Sequence, residues 1–598
     1  VDGMSLRDAS LHDASLHDLN PHDLSPHESA RAARAVRGSS QHAFISVLTE
    51  EQISTYPATG ELAGVPFAIK DNIDLAGLPT TAANPSVTRA AKRSAAVVKR
   101  LVAAGAVPMG KTNMDQYATG LVGTRSPFGA CHSVFSQDHI SGGSSSGSAI
   151  AVASGIAAFA LGTDTAGSGR VPAALNALVG VKPTRGLVST TGVLPACRTL
   201  DCVTVLAASV TMAAAVFEAM VGFDPADPYS RRAPVGELPA PVGVLPSTRH
   251  CPVIGIPDLD LDLDPAHQQA WERAIAHAAT VATVVPVEVR PFLEAGELLY
   301  AGPWLAERAL SFGHLLTDGD HIDPTVRAIV SKAGGMTATD TFAGMYRLAA
   351  LQRQSERTWD LVDALLLPVT PTHPRLAAVA ADPIGVNRRL GRFTTMTNLL
   401  DLCAVAVPAG MRRDGLPFGV QLLAPAFSDR KLLDLAARWC DEAPLPTLPT
   451  GLAGTVLLAV AGAHLSGQPL NHDLIRLGGR LAYNARTDSS YRMFEIPGPL
   501  RRPGLIRDTG AHAPVGTGIE VEVWRLPVAG MARLLTSVTP PLAIGPMDLA
   551  DGTRVLGFVC TGNAEDAGRE ITSFGGWRAY LAATHPAPVR SITPGRGQ

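Results

Sequence analysis

The chain has 598 residues, of which 46% are apolar and only 5% aromatic, with 57 glycines and a formal net charge of −3. That length exceeds one ordinary domain, and the composition suits a packed α/β enzyme rather than a disordered or fibrous protein. A charge so close to balance leaves no basic footprint for nucleic acid. The chain opens on a five-residue rhythm: Ser10-Leu11-His12-Asp13-Ala14, Ser15-Leu16-His17-Asp18-Leu19, then His22 and His27. Spacing by five fits neither helix nor strand, and Pro21 and Pro26 break any helix. Residues 1–29 therefore read as a disordered polar tail, with metal binding by the histidine array as the alternative. This opening lacks the apolar core of a secretory signal, so a cytoplasmic location is expected.

From residue 30 to 443, short apolar runs alternate with amphipathic stretches. Val65–Ile69, Ala364–Leu367 and Cys403–Val407 read as buried strands, and Ser94–Ala104 and Lys431–Trp439 as helices. The longest apolar stretches, Ala149–Thr163 and Val203–Phe217, are too short to span a membrane and read as buried helices. Strands alternating with helices predict an α/β fold with a central mixed, largely parallel sheet covered by helices. Pro444, Pro446, Pro449 and Gly451 punctuate a linker over 444–454. Beyond it, Thr455–Ala461 and Val555–Cys560 read as strands and Glu520–Leu526 alternates with period two, which predicts a smaller α+β domain over 455–598. Seven cysteines, odd in number and without C-x-x-C spacing, indicate neither a zinc site nor a disulfide framework.

The chemistry concentrates in Ile140–Thr184, where two Gly/Ser-rich turns flank an apolar helix. Neither turn carries G-x-x-x-x-G-K-[ST] or G-x-G-x-x-G, which disfavours nucleotide binding. Nucleophilic catalysis is the alternative. Ser168 follows the small residues Thr165-Ala166-Gly167 and precedes a helix expected over Val171–Leu178. Small residues let the backbone turn sharply and aim consecutive N–H groups at one point, where an oxyanion could sit. A serine needs a base, yet no histidine lies between His139 and His250, and the G-x-S-x-G elbow is missing. Lys70, closing the strand Val65–Ile69, is the alternative. An ordinary lysine titrates at about 10.4, so the role requires a shift of about 3 units, within reach of burial at a strand end. Asp71 and Asp74 would oppose it and are expected to point away. Taken alone, such a lysine is more often at the surface or ion-paired.

These turns resemble those of the amidase signature family, whose pattern is G-G-S-S-[GS]-G followed by G-T-D-x-[AG]-G-S-x-R-x-P. Here the residues are Gly142-Gly143-Ser144-Ser145-Ser146-Gly147 and Gly162-Thr163-Asp164-Thr165-Ala166-Gly167-Ser168-Gly169-Arg170-Val171-Pro172. Gly64-Val65-Pro66-Phe67-Ala68-Ile69-Lys70-Asp71 upstream and Gly415-Leu416-Pro417-Phe418-Gly419-Val420-Gln421 downstream extend the likeness to about residues 30–440. The resemblance implies an amidase signature fold and a Ser–Ser–Lys triad: Ser168 the nucleophile, Ser144 the proton relay behind a cis Gly143–Ser144 bond, Lys70 the base. It places the oxyanion donors on the N–H groups of Thr165, Ala166, Gly167 and Ser168, and makes Asp164 and Arg170 braces of the loop. It implies neither cofactor nor metal.

Within that family the segments Asn113–Pro127 and Tyr300-Ala301-Gly302-Pro303-Trp304-Leu305-Ala306-Glu307-Arg308, with the appended second domain, are similar to those of allophanate hydrolases. The small ureido-carboxylate allophanate is then the expected substrate, with Arg308 gripping its carboxylate and Tyr300 donating a hydrogen bond. A helix-face arginine and a half-buried tyrosine would otherwise be unremarkable at those positions. The second domain is implied to resemble γ-glutamyl cyclotransferases and to act on the product's decarboxylation, with His464 as candidate and His472 in reserve. The likeness also implies a metabolic link to urea carboxylase, a homodimer, and no nucleic-acid or membrane partner. Three rivals remain at this point: another small-amide amidase, the amidase subunit of a tRNA-dependent amidotransferase, and a catalytically silent binding protein.

Overall fold

The computed structural model describes residues 42–232, 252–442 and 455–584, apart from 58, 317–320, 497, 499–500, 508–517, 540 and 561–567, together with Pro26. The expected histidine-rich tail and the Pro/Gly linker otherwise lie outside the described residues. The chain divides into two compact units, one holding the described residues up to 442 and the other those from 455 onward.

The first unit is built on one eleven-stranded sheet. Its strands are β1 (Phe44–Val47), β2 (Pro66–Lys70), β3 (Val107–Thr112), β6 (Phe159–Asp164), β7 (Val179–Lys182), β8 (Cys202–Ala207), β9 (Val253–Pro257), β10 (Thr283–Val287), β11 (Ala364–Pro368), β12 (Leu402–Met411) and β13 (Pro417–Pro425). A separate hairpin is formed by β4 (His132–Ser133) and β5 (Ser136–Ile140). The spatial order is β1-β3-β2-β6-β8-β7-β12-β13-β11-β9-β10. The sheet is mixed. Parallel pairing, expected from the alternation of strands and helices, joins β2 to β3 and β6, and β9 to β10 and β11; the remaining pairs are antiparallel. All five residues of β2 are buried, which explains why the strand reads as a continuous apolar run rather than an alternation.

Both long apolar stretches read as helices are in fact half helix and half strand. Ala149–Thr163 splits into the end of the helix Ser146–Ala153 and β6, divided at Gly155, whose φ of +66° lies in the left-handed region. Val203–Phe217 splits into β8 and the helix Val210–Met220, because Ser209 caps that helix by accepting from the N–H of Met212. Apolarity alone does not distinguish a buried strand from a buried helix. The helix expected over Val171–Leu178 is a short one, Arg170–Ala174: Leu175 is its C-cap, and Ala177, at φ of +54°, leaves the helical region before β7 begins at Val179. The parallel register of β2 and β6, with Ile69 opposite Leu161, brings the carboxyl ends of both strands to one edge. Ligand sites in α/β sheets form at such edges. No helix among the described residues is long and apolar enough to cross a membrane.

In the second unit, β14 (Thr455–Val460), β15 (Arg480–Arg486), β18 (Glu520–Pro527), β19 (Leu542–Asp548) and β20 (Arg554–Cys560) form a sheet in the order β15-β18-β14-β20-β19. A smaller sheet joins β17 (Arg502–Arg507), β16 (Tyr491–Ile496) and β21 (Arg569–Glu570). Val521 and Val523, alternate residues of β18, pack with Leu458, Val460, Met547, Trp577 and Tyr580 in one core. The helix Trp577–Thr584 supplies two of its buried aromatic residues, Trp577 and Tyr580.

Candidate active site

Lys70 ends β2 with its side chain buried, and its Nζ donates to Ser144 Oγ at 2.7 Å and to Thr163 Oγ1 at 2.8 Å. Burial disfavours the ammonium and pulls the amine down to about 7, against the opposing pull of the Asp115, Asp164 and Asp201 carboxylates. Near neutrality a useful fraction of Lys70 is therefore an uncharged base. Asp71 and Asp74 are occupied elsewhere, as expected: Asp71 pairs with Lys111 at 3.0 Å, and Asp74 accepts from Thr80 Oγ1 at 2.7 Å. Ser144 follows a cis Gly143–Ser144 peptide bond in the loop entering the helix Ser146–Ala153.

Ser168 lies in the turn between β6 and the helix Arg170–Ala174. Its Oγ donates to the carbonyl of Gly120 at 3.3 Å. The turn is braced from within by Asp164, which accepts from the N–H of Gly167 (2.7 Å) and Gly169 (3.2 Å) and pairs with Arg170 (2.9 Å). Arg170 also reaches Thr397 Oγ1 at 2.8 Å and Gln421 Oε1 at 2.7 Å, tying the turn to β13. The N–H of Gly167 is thus committed to Asp164, which corrects its place among the oxyanion donors. The N–H groups of Ala166 and Ser168 have no protein acceptor among the described residues. Gly167 has φ of +122°, and a Cβ there would meet Thr394 Oγ1 at 2.3 Å, so no other residue fits.

Arg308 is 1% exposed on the helix Trp304–Phe312. Its Nη1 donates to Thr119 Oγ1 at 3.3 Å, its Nε has no partner, and its guanidinium carbon stands 5.6 Å from the ring centre of Tyr300. No carboxylate among the described residues lies within ion-pair distance of Arg308. Thr119 adjoins Gly120, the acceptor of the Ser168 hydroxyl. The structure thus gathers Lys70, Ser144 and Thr163 in one cluster, and links Arg308 and Tyr300 to Ser168 through Thr119–Gly120.

His464 is in the second unit, on the wall of a cavity of about 240 Å³ that Asp473, Arg502, Ser537 and Phe558 also line. Its ring stacks on Phe558 at 5.0 Å, and burial lowers its pKa to about 4, so the imidazole is neutral at physiological pH. His472, the reserve, is exposed, with Nδ1 2.8 Å from the carbonyl of Pro469.

The motifs alone miss several residues. Thr163 holds the lysine, and its signal lies in the Gly162-Thr163-Asp164 run. Asp115 accepts from the N–H groups of Val122, Gly123 and Arg125 at 3.2, 3.0 and 2.9 Å, and a Cβ on Gly143 would strike it at 2.2 Å, so it shapes the loop before Ser144. Asn398 donates to the carbonyls of Asp164, Thr165 and Leu200 at 2.7, 3.2 and 2.9 Å. No local pattern announces Asn398, which arrives from a distant part of the chain.

Residues 46–433 match the amidase family, and residues 456–582 match the allophanate hydrolase C-terminal domain. Urea amidolyase of Saccharomyces cerevisiae is 38% identical over 577 residues, covering 90% of this chain and 30% of that protein. The chain therefore spans under a third of the urea amidolyases it matches. A glutamyl-tRNA(Gln) amidotransferase component from Symbiobacterium thermophilum is 35% identical over 412 residues, 63% of this chain and 82% of that protein. Among solved structures, selenomethionine-substituted Kluyveromyces lactis allophanate hydrolase is similar with a TM-score of 0.66 at 36% identity, covering 96% of this chain and 100% of that one.

Proposed function

Because the chain belongs to the amidase family, matched across residues 46–433, we propose that it hydrolyses the terminal amide of allophanate by a Ser–Ser–Lys mechanism. Ser168 Oγ attacks the carboxamide carbon as its proton passes to Ser144, whose own proton passes to the neutral Lys70 amine. The resulting oxyanion faces the N–H groups of Ala166 and Ser168 with that of Thr165; each donor of this kind is worth about 3 kcal/mol of transition-state stabilisation. Lys70 returns a proton through Ser144 to the leaving nitrogen, and ammonia departs. Water then attacks the Ser168 ester along the same relay and releases N-carboxycarbamate. This product loses carbon dioxide, and the remaining carbamate breaks down to ammonia and bicarbonate.

The observation that carries the substrate assignment is Arg308, a buried guanidinium with one hydrogen bond, 3.3 Å from Thr119, and no carboxylate partner among the described residues. A buried cation left in this state suits an anionic substrate group, and a planar fork suits a carboxylate. The match of residues 456–582 to the allophanate hydrolase C-terminal domain, together with the two-unit likeness to the Kluyveromyces lactis enzyme, supports the same reading over that of an amidotransferase component. A urea carboxylase is the fitting metabolic supplier. In the second unit, a neutral His464 beside Arg502 on the wall of a cavity suits a small dianion undergoing decarboxylation. The test is ammonia release from allophanate against biuret, urea and malonamide, with Ser168→Ala as the blank. Preference for allophanate is expected; turnover of malonamide alone would overturn the substrate assignment.

A further inference from the structure

One short loop touches both halves of the first unit's site. Asp201 immediately precedes β8, and the antiparallel pairing of Cys202 with Asp164 sets it opposite the turn that carries Ser168. Its Oδ1 accepts from the Thr165 hydroxyl and from the N–H of Cys197 at 3.2 Å, and its Oδ2 from the N–H of Ala196 at 2.8 Å. The rest of that loop is fastened to the helix Trp304–Phe312. Thr199 donates from N–H and Oγ1 to the two oxygens of Glu307 at 2.7 and 2.8 Å, and Cys197 Sγ donates to the carbonyl of Trp304 at 3.6 Å. Glu307 is the neighbour of Arg308. Asn398 clamps the same join, holding the carbonyls of Thr165 and Leu200 with one amide.

We propose that Asp201 is a positioning residue for the reaction, its carboxylate keeping the oxyanion turn in register with the helix that bears Arg308. This rests on the Ser–Ser–Lys reading above. Hydrolysis of a substrate as small as allophanate demands that register, since its reacting carbonyl and its carboxylate are separated by a single nitrogen. Gripping one end against a mobile oxyanion turn would waste the binding energy, and misplacement by an ångström can cost roughly 10²-fold in rate.

The position has an electrostatic consequence that a purely structural aspartate would lack. From the site side Asp201 faces Arg308 and Lys70; from its own loop it faces the Cys197 thiol; Glu307 stands across the loop. Two cavities, of about 260 and 180 Å³, reach its outer side, where Arg185, Arg198, Arg231, Asp227 and Asp401 are its charged companions. Burial raises the Asp201 carboxyl to about 6, so it is mostly ionised near neutrality and favours the ammonium of Lys70. Removing that charge lets Lys70 shed its proton at lower pH.

The experiment compares Asp201→Asn and Thr165→Val with wild type, following ammonia release from allophanate across pH, with fluorophosphonate labelling of Ser168 and a melting curve for each protein. Asp201→Asn should lower kcat roughly 10²-fold with little change in KM, and should move the acid limb of kcat/KM to lower pH. Thr165→Val keeps the charge and breaks the contact, so it should lower kcat with the acid limb in place. Wild-type kcat in both variants would overturn the proposal, as would a loss in Asp201→Asn with an unmoved acid limb and a lowered melting temperature. If Asp201→Asn does not fold, Thr165→Val decides: full activity there overturns it. Failure of wild-type Ser168 to take the label would instead remove the Ser–Ser–Lys reading, and the role of Asp201 with it.

Discussion

The two units treat their candidate proton-transfer groups in opposite ways. In the first, Lys70 is sealed in and hydrogen-bonded to Ser144 and Thr163, with three carboxylates resisting the loss of its charge. In the second, His464 stands on the wall of a cavity and stacks on a phenyl ring, with Asp473 opposing its shift against Arg502 and His472. Desolvation drives both pKa values down, but the outcomes differ. The starting points decide it: Lys70 comes down from 10.5 to about 7, where it can exchange a proton at working pH, whereas His464 comes down from 6.5 to about 4 and stays neutral. The same burial that brings an amine into the working range takes an imidazole out of it. Acid–base control of the amide step should therefore come from the first unit.

The sharpest way to break this contrast is to remove the tuned group or its relay. Ser168→Ala and Lys70→Ala should each lower kcat for ammonia release on the order of 10⁴-fold or more, and the double variant should be little worse than either, because members of one relay are not additive. Additive losses would mean the two act separately. A smaller effect is expected at the carboxylate grip. Arg308→Ala should cost roughly 10- to 100-fold in kcat/KM on allophanate, the worth of a charge-assisted hydrogen bond, and much less on malonamide. Equal losses on both would take Arg308 out of carboxylate recognition.

Much of this was legible in the sequence because the candidate catalytic groups sit in contiguous motifs. Ser144 and Ser168 belong to runs of small residues that little else explains, and β2, β11, β12, β14, β18 and β20 emerge within a few residues of the apolar runs that predict them. What was not legible is set by long-range packing. The split of Ala149–Thr163 into helix and strand depends on a left-handed Gly155 and on the pairing of β6 with β2 and β8. The commitment of the Gly167 N–H to Asp164, and the convergence of Asn398 on the turn, are three-dimensional facts with no local signature. Neither the burial of Arg308 nor its lack of a carboxylate partner among the described residues could be read from the helix that carries it.

A modest effect is expected from pH, and it separates the units again. The proposed mechanism needs the uncharged Lys70 amine, so kcat/KM should rise as pH increases through about 7 and flatten above it. His464 should contribute to stability rather than to that limb. Its folded pKa of about 4 lies below the ordinary value of 6.5, so the unfolded chain takes up the proton first as pH falls. The stability tied to its neutral form is intact above 6.5 and is lost between there and about 4. Replacing His464 with glutamine should flatten the fall in melting temperature over that window, while an unchanged slope would show that the ring is not held neutral by the fold.

The most direct test of the central claim is the rate of fluorophosphonate labelling at Ser168 as a function of pH, read by peptide mass spectrometry in wild type and in Lys70→Ala. A neutral lysine acting through Ser144 predicts labelling confined to Ser168, rising with a midpoint near 7 and largely abolished in the variant. Labelling elsewhere, or at Ser168 with the same rate and pH profile after Lys70 is removed, would contradict the account.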